Sequence, residues 1–185
     1  MRKIERADIL SLADYEAVRD ARRVSVREAR KHRRVQLCAL VALVFENRES
    51  MILQVHEMCR AERIADEAKI AEEIEVYNDL VPDAGELRAT MLIEVTDRDA
   101  MDRELTRLVG IEHHAALLND GERLPAIPLE PRERTDRTSA VHFLRFPVAR
   151  LGRDVRLSLA HPKYSAAVPL SSQTIESLAN DLKEP

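Results

Sequence analysis

The chain has 185 residues, 45% of them apolar and 34% charged, with a formal net charge of −4. That is enough for one domain with a full core, short for two independent ones, and too apolar for general disorder. Four dispersed glycines, Gly85, Gly110, Gly121 and Gly152, exclude a Walker loop and a dinucleotide fingerprint, and 3% aromatics without tryptophan remove the stacking platforms of single-stranded nucleic-acid binders.

The opening MRKIERADILSLADYEAVRD mixes both charges and lacks a signal-peptide core, and no apolar run reaches transmembrane length. A cytoplasmic location with no membrane partner is the expectation. Residues 1–34 hold eleven Lys/Arg against six Asp/Glu, whereas residues 35–185 hold eighteen against twenty-seven. From Tyr15 to about Lys31, the spacing of Tyr15, Val18, Arg22 and Val26 predicts a charged surface helix, with Asp8 or Asp14 as a cap. Its basic residues Arg22, Arg23, Arg27, Arg30 and Lys31, with Arg34, form a patch that can meet phosphates. They can equally lie along the acidic remainder of the chain, and overall acidity argues against nucleic acid. Residues 1–33 are therefore expected as a basic helical segment packed on a single domain, 34–185.

Val35 to Phe45 is almost wholly apolar, with Val35, Leu37, Ala39, Val41, Leu43 and Phe45 on one face and Cys38, Leu40, Ala42 and Val44 on the other. Both faces avoid water, which predicts a central strand covered on each side by helices. After Asn47 the period lengthens, and Met51, Ile52, Val55, Met58 and Cys59 stripe a helix to about Arg63 that can lie on that strand. A second helix runs from Asp66-Glu67 to about Asn78 through Ile70, Ile74 and Tyr77, and Pro82-Asp83-Ala84-Gly85 ends it. ELRATMLIEV, from Glu86, alternates as a half-buried strand.

Thr96 and Asp97 cap a helix striped by Met101, Leu105 and Leu108 that stops at Gly110. His113 to Leu118, a turn at Asn119-Asp120-Gly121 and Arg123 to Ile127 read as a hairpin, with Pro125 and Pro128 placing its second strand at an edge. PLEPRERTDR reads as a charged loop. SAVHFLRF, Ser139 to Phe146, is a strand apolar on both faces, Val155 to Leu159 alternates, and Ala166 to Leu170 supplies a last strand before a helix capped by Ser171 or Ser172. The sum is α+β with a mixed or largely antiparallel sheet.

Five of these stretches, LVFENRESMILQVHEMCRAERI, AEEIEVYNDLVPDAGELRATMLIEV, LTRLVGIE, RTSAVHFLRFPV and AHPKYSAAVPL, occur in an order that resembles the domain of unknown function 3501 family of bacterial proteins. What the resemblance implies is a setting: similar proteins are encoded beside rubrerythrin-like and iron–sulfur proteins, so a ferritin-like or iron–sulfur redox partner is expected by association. His56 and Cys59 stand where similar proteins are expected to carry Gln and Leu, which counts against a site needing either.

His56-Glu57-Met58-Cys59-Arg60 fails the zinc-protease pattern because Arg60 occupies the place of the second imidazole. Glu62 falls on the apolar stripe of its helix, where a carboxylate needs a partner. His142 interrupts a buried strand and can face the same interior as His161. With Glu46, Glu62 or Glu94 such a cluster could bind iron or zinc, or serve as a general acid–base pair, and the bland alternative is a hydrogen-bonded core histidine. Cys38 and Cys59 form no CxxC pair and read as reduced core residues. No nucleophile is marked. The setting implied by the resemblance, with the lack of a catalytic constellation, thus points to a non-catalytic accessory protein first, and the histidines and glutamates to a metal-binding protein or metal-dependent enzyme using His142, His161, Glu62 and Glu46 second.

Overall fold

Alternation of apolar side chains along short strands builds two antiparallel sheets that share one core. The computed structural model describes residues 1–129 and 136–183. In the first sheet the order is β1 (Arg34–Gln36), β2 (Val41–Glu46), β3 (Glu86–Ile93), β7 (Val141–Pro147) and β6 (Ile127–Pro128). In the second it is β5 (Glu122–Pro125), β4 (Ala115–Asn119), β8 (Val155–His161) and β9 (Tyr164–Pro169). Leu43 and Phe45, Leu87 and Met91, and Leu144 and Phe146 meet Leu117, Leu157 and Leu159 of the second sheet in one buried cluster. Leu105 of α4 (Arg98–Arg107), Leu108 at its cap and Leu178 of α5 (Ser172–Asp181) complete it. Alternate residues of each strand enter this interior because successive side chains point to opposite faces.

The stretch Val35 to Phe45 is not one central strand. It forms the β1–β2 hairpin, with Val35 paired to Leu43 and β1 at the sheet edge, and the middle place belongs to β3. The connecting residues Leu37 to Leu40 carry no Gly, Pro, Asn or Asp, so nothing local announces the turn. Instead the Gln36 side chain donates to the Cys38 carbonyl at 2.8 Å, and Leu37 N–H donates to the Val41 carbonyl at 2.9 Å. Because the turn keeps parity, Val35, Leu37, Val41, Leu43 and Phe45 all still face the shared core.

The later hairpin follows its sequence signal. Asp120 and Gly121 both take positive φ, 48° and 89°, as a two-residue turn matched to strand twist requires. After β5 the chain switches sheets at buried Ala126 and adds β6 to the edge of the first. His113 and His114 are not strand residues: they belong to a 3-10 turn, Ile111–His114, that Gly110 enters at φ 82°. The PLEPRERTDR loop falls partly outside the described residues.

A helical layer lies on the other side of the first sheet. It holds α1 (Leu12–Lys31), α2 (Arg48–Ala61) and α3 (Glu67–Asn78), each started by a capping side chain: Ser11, Asn47 and Asp66. The cap of α1 is therefore Ser11, not Asp8 or Asp14. Met51, Ile52, Val55 and Cys59 of α2 are buried as their spacing predicts, but they pack mainly on Ile70 and Ile74 of α3 and on Met1, Ile4 and Ile9. β2 itself is buried at all six positions, as its two-sided apolar pattern predicts. Residues 1–33 thus supply part of a core and not only a charged surface. Among the described residues, no helix is long and apolar enough to cross a membrane.

Candidate functional site

The face of the first sheet that turns away from the shared core is only partly covered. β2 contributes Val44 and Glu46 to it, β3 contributes Arg88, Thr90 and Leu92, and β7 contributes Val141 and Phe143, all paired across the sheet in register. Between this face and the helices lies a cavity of about 260 Å³ lined by Val44, Met51, Gln54, Tyr77, Leu80 and Phe143, with Arg30, Glu46 and Thr90 at its polar end. Tyr77, Leu80 and Phe143 also line a second space of about 450 Å³, which runs out along Val76, Asp79, Arg88 and Leu129. The two form one groove of a size that suits a bound ligand or an inserted peptide segment.

Glu46 is the charged group most deeply set in this groove, with its side chain 6% exposed. A buried carboxylate survives only if its lone pairs are satisfied. Thr90 Oγ1 donates to Oε1 at 2.8 Å, Ser50 Oγ donates to Oε2 at 2.7 Å, and Arg30 Nη2 lies 3.4 Å from Oε2. Ser50 reaches Glu46 because it is the third residue of α2, where its hydroxyl also accepts the Asn47 N–H at 3.1 Å. Arg30 Nε is shut off from solvent and has no acceptor among the described residues. Arg88 is held by Glu86 at 2.6 Å and Asp83 at 2.9 Å. Burial, with Glu73 nearby, pushes the Tyr77 hydroxyl above its ordinary pKa, so it stays a neutral phenol.

The four residues expected to gather around a metal do not gather. Glu46 lies on the helical side of the first sheet, Glu62 is exposed just past the end of α2, and His142 and His161 face the other way. His142, paired in register with core residue Met91, bonds Thr138 Oγ1 through Nε2 at 3.0 Å. Its Nδ1 stands 3.8 Å from Oε2 of Glu112, a buried carboxylate in the 3-10 turn. That carboxylate is the one sequence reasoning missed, because a glutamate in a short turn carries no periodic signal; Glu94 pairs with Arg34 at 2.6 Å instead. His161 donates from Nε2 to the Val109 carbonyl, accepts the Lys163 N–H at Nδ1, both at 3.2 Å, and meets His114 edge-on at 5.1 Å. Burial lowers its pKa and keeps the ring neutral. Among the described residues, no three His, Cys, Asp or Glu side chains close on a point that can hold a metal ion.

The basic patch is half consumed by the chain itself. Arg30 faces Glu46, Lys31 pairs with Glu28 and Arg34 with Glu94, while Arg22, Arg23 and Arg27 enter no ion pair among the described residues. Arg19 forms a two-pronged bond to Glu57 at 2.7 and 2.8 Å and, with the Tyr15 hydroxyl, holds that carboxylate down at about 2. His56 is a joint and not a ligand: it accepts the Leu10 N–H at 2.9 Å, bonds the Ile52 carbonyl at 2.8 Å and stacks on Tyr15 at 4.4 Å. Cys59 is buried and reduced, with its thiol pushed up by desolvation.

The model of a family described as "Protein of unknown function (DUF3501)" matches residues 3–182. A solved structure is similar throughout: the crystal structure at 1.90 Å resolution of a novel protein of unknown function from Burkholderia pseudomallei K96243. It is 34% identical, with a TM-score of 0.89, over 98% of this chain and 100% of that one. Among curated proteins none matches the chain.

Proposed function

The chain belongs to the DUF3501 family, described as of unknown function, and from the groove we propose a non-catalytic accessory protein that holds a partner protein against the open face of its first sheet. One observation carries the reading. Of the five exposed large apolar residues among those described, Val76 and Val141 line the groove and Ile127 lies on the edge strand beside β7. Apolar side chains that cluster around a concave face, instead of scattering singly, mark an interaction surface. The setting that the family resemblance implies supports, as the class of partner, a ferritin-like or iron–sulfur redox protein of the cytoplasm. Calorimetric titration of a rubrerythrin-like protein into wild type and into Val141→Lys tests this. Loss of at least about tenfold in affinity, about 1.4 kcal/mol, supports it, and equal affinity removes it.

A second reading rests on Glu112. Its Oε2 is buried, has no hydrogen-bond partner among the described residues and lies 3.8 Å from His142 Nδ1, so this pair is where an iron or zinc site would be assembled. Both ring nitrogens of His161 are engaged by the backbone, which leaves it a supporting place at most. Stoichiometric iron or zinc in the purified protein, lost in His142→Ala, would displace the accessory reading.

A further inference from the structure

Among the described residues the two sheets leave four strand edges, and three of them are guarded. β1 is three residues long and carries Arg34, β6 is two residues ending in Pro128, and β5 carries Glu122, Arg123 and Pro125. Short length, charge and proline keep an edge from pairing with another chain. β9 lacks these guards. It is six residues long and reads YSAAVP, with no charge and its one proline at the end. β8 flanks it on one side, and no described element runs along the other.

Leu170 N–H donates to the Val155 carbonyl at 2.8 Å, so by antiparallel alternation Val168, Ala166 and Tyr164 also turn their main-chain groups toward β8. Ser165 and Ala167 turn theirs outward, Pro169 offers a carbonyl only, and all three residues are exposed. On the core side Tyr164 and Val168 pack against the shared interior yet stay partly exposed, so the core is unsealed along this edge.

We propose that a second copy of this chain covers the edge, its β9 running antiparallel to this one about a two-fold axis at Ala167, so that the second sheets of the two copies become continuous. Ala167 then exchanges both main-chain bonds with Ala167 of the second copy, and each Ser165 N–H donates to the other copy's Pro169 carbonyl. The ladder ends there, because Pro169 has no N–H to return. On the core side the same register sets Ala166 opposite Val168 and Tyr164 opposite Leu170, small against branched and aromatic against aliphatic. The segment thus matches itself residue for residue, while it offers a foreign strand no charge to read. Its neutrality also lets two chains of net charge −4 meet without like charges set opposite each other. The edge belongs to the second sheet and the groove to the far face of the first, so a second copy and a partner protein can be held together.

Sedimentation equilibrium of the full chain tests this, beside Ala167→Lys, which sets two ammonium groups face to face at the axis from an exposed position. Wild type should be dimeric, and Ala167→Lys should dissociate at least tenfold more readily with its far-ultraviolet circular dichroism unchanged. Cysteine placement reads the register. Ala167→Cys, with its Cα about 5.5 Å from its symmetry mate, should form a disulfide-linked dimer under mild oxidation, beyond any that wild type forms through partly exposed Cys38. Ser165→Cys, which faces Pro169, should not. A monomeric wild type overturns the proposal. So does a dimer that Ala167→Lys leaves intact, or a crosslink that forms as readily at position 165 as at position 167.

Discussion

The two faces of the first sheet are made by the same strands and meet opposite fates. Phe146 and Leu144 on β7 point into the shared interior and are fully buried, while Val141 and Phe143 on that strand point the other way, into a groove. The inner face is closed because a second sheet of matching size lies over it. The outer face is met by helices whose own apolar stripes are largely spent on one another, through Val55, Cys59, Ile70 and Ile74. What separates a core from a binding surface here is supply of covering elements, not the hydrophobicity of the strand.

The sharpest test of that contrast is to cut one aromatic ring from each face. Phe146→Ala, which also loses the tilted contact with Phe45 at 5.9 Å, should cost about 3–5 kcal/mol in urea denaturation. Phe143→Ala should cost less than about 1.5 kcal/mol, since its ring already borders open space. Equal losses would mean that the outer face is as tightly packed as the inner one.

Glu46→Ala comes next, with an expected loss of about 1–3 kcal/mol, because it strands the buried Thr90 hydroxyl, whereas Ser50 Oγ keeps the Asn47 carbonyl at 2.8 Å. Arg30, one-third exposed, can turn to water. Replacing the polar set together, as Glu46→Leu with Thr90→Val, should recover much of the loss in the same measurement.

A smaller effect distinguishes the helical layer by pH. The fold uses His56 as a neutral ring, and burial depresses its pKa from the ordinary 6.5. Protons therefore bind the unfolded chain first. The contribution is whole above pH 6.5 and is lost as pH falls through the depressed folded value. His161 in the second sheet acts in the same direction. Stability measured between pH 7.5 and 5 should fall in wild type and fall less steeply in His56→Phe, which retains the stack on Tyr15. Smallest of all, Val141→Ser should change stability by no more than about 0.5 kcal/mol while it weakens partner binding. A large stability loss there would show that the residue belongs to a core.

Much of the architecture was legible residue by residue. β3 announces itself through Leu87, Ala89, Met91 and Ile93, all buried on one side, and the caps and the Asp120-Gly121 turn follow from local chemistry. The break between Val35 and Phe45 was not legible, because the Gln36 side chain makes that turn and Leu37 to Leu40 carry no turn residue. Nor was the place of Glu46. The sequence marks it as the polar end of an apolar run, but its partners Thr90 and Arg30 lie 44 and 16 residues away along the chain.

The chain's own order of residues determined which side chains share a face, where helices begin and that two-sided apolar strands would seek cover, since these follow from backbone geometry within a few residues. Tertiary structure alone decided which faces received that cover. Whether Phe143 borders a groove while Leu144 is sealed depends on what distant segments are left to lie above each, and neither strand nor helix carries that information by itself.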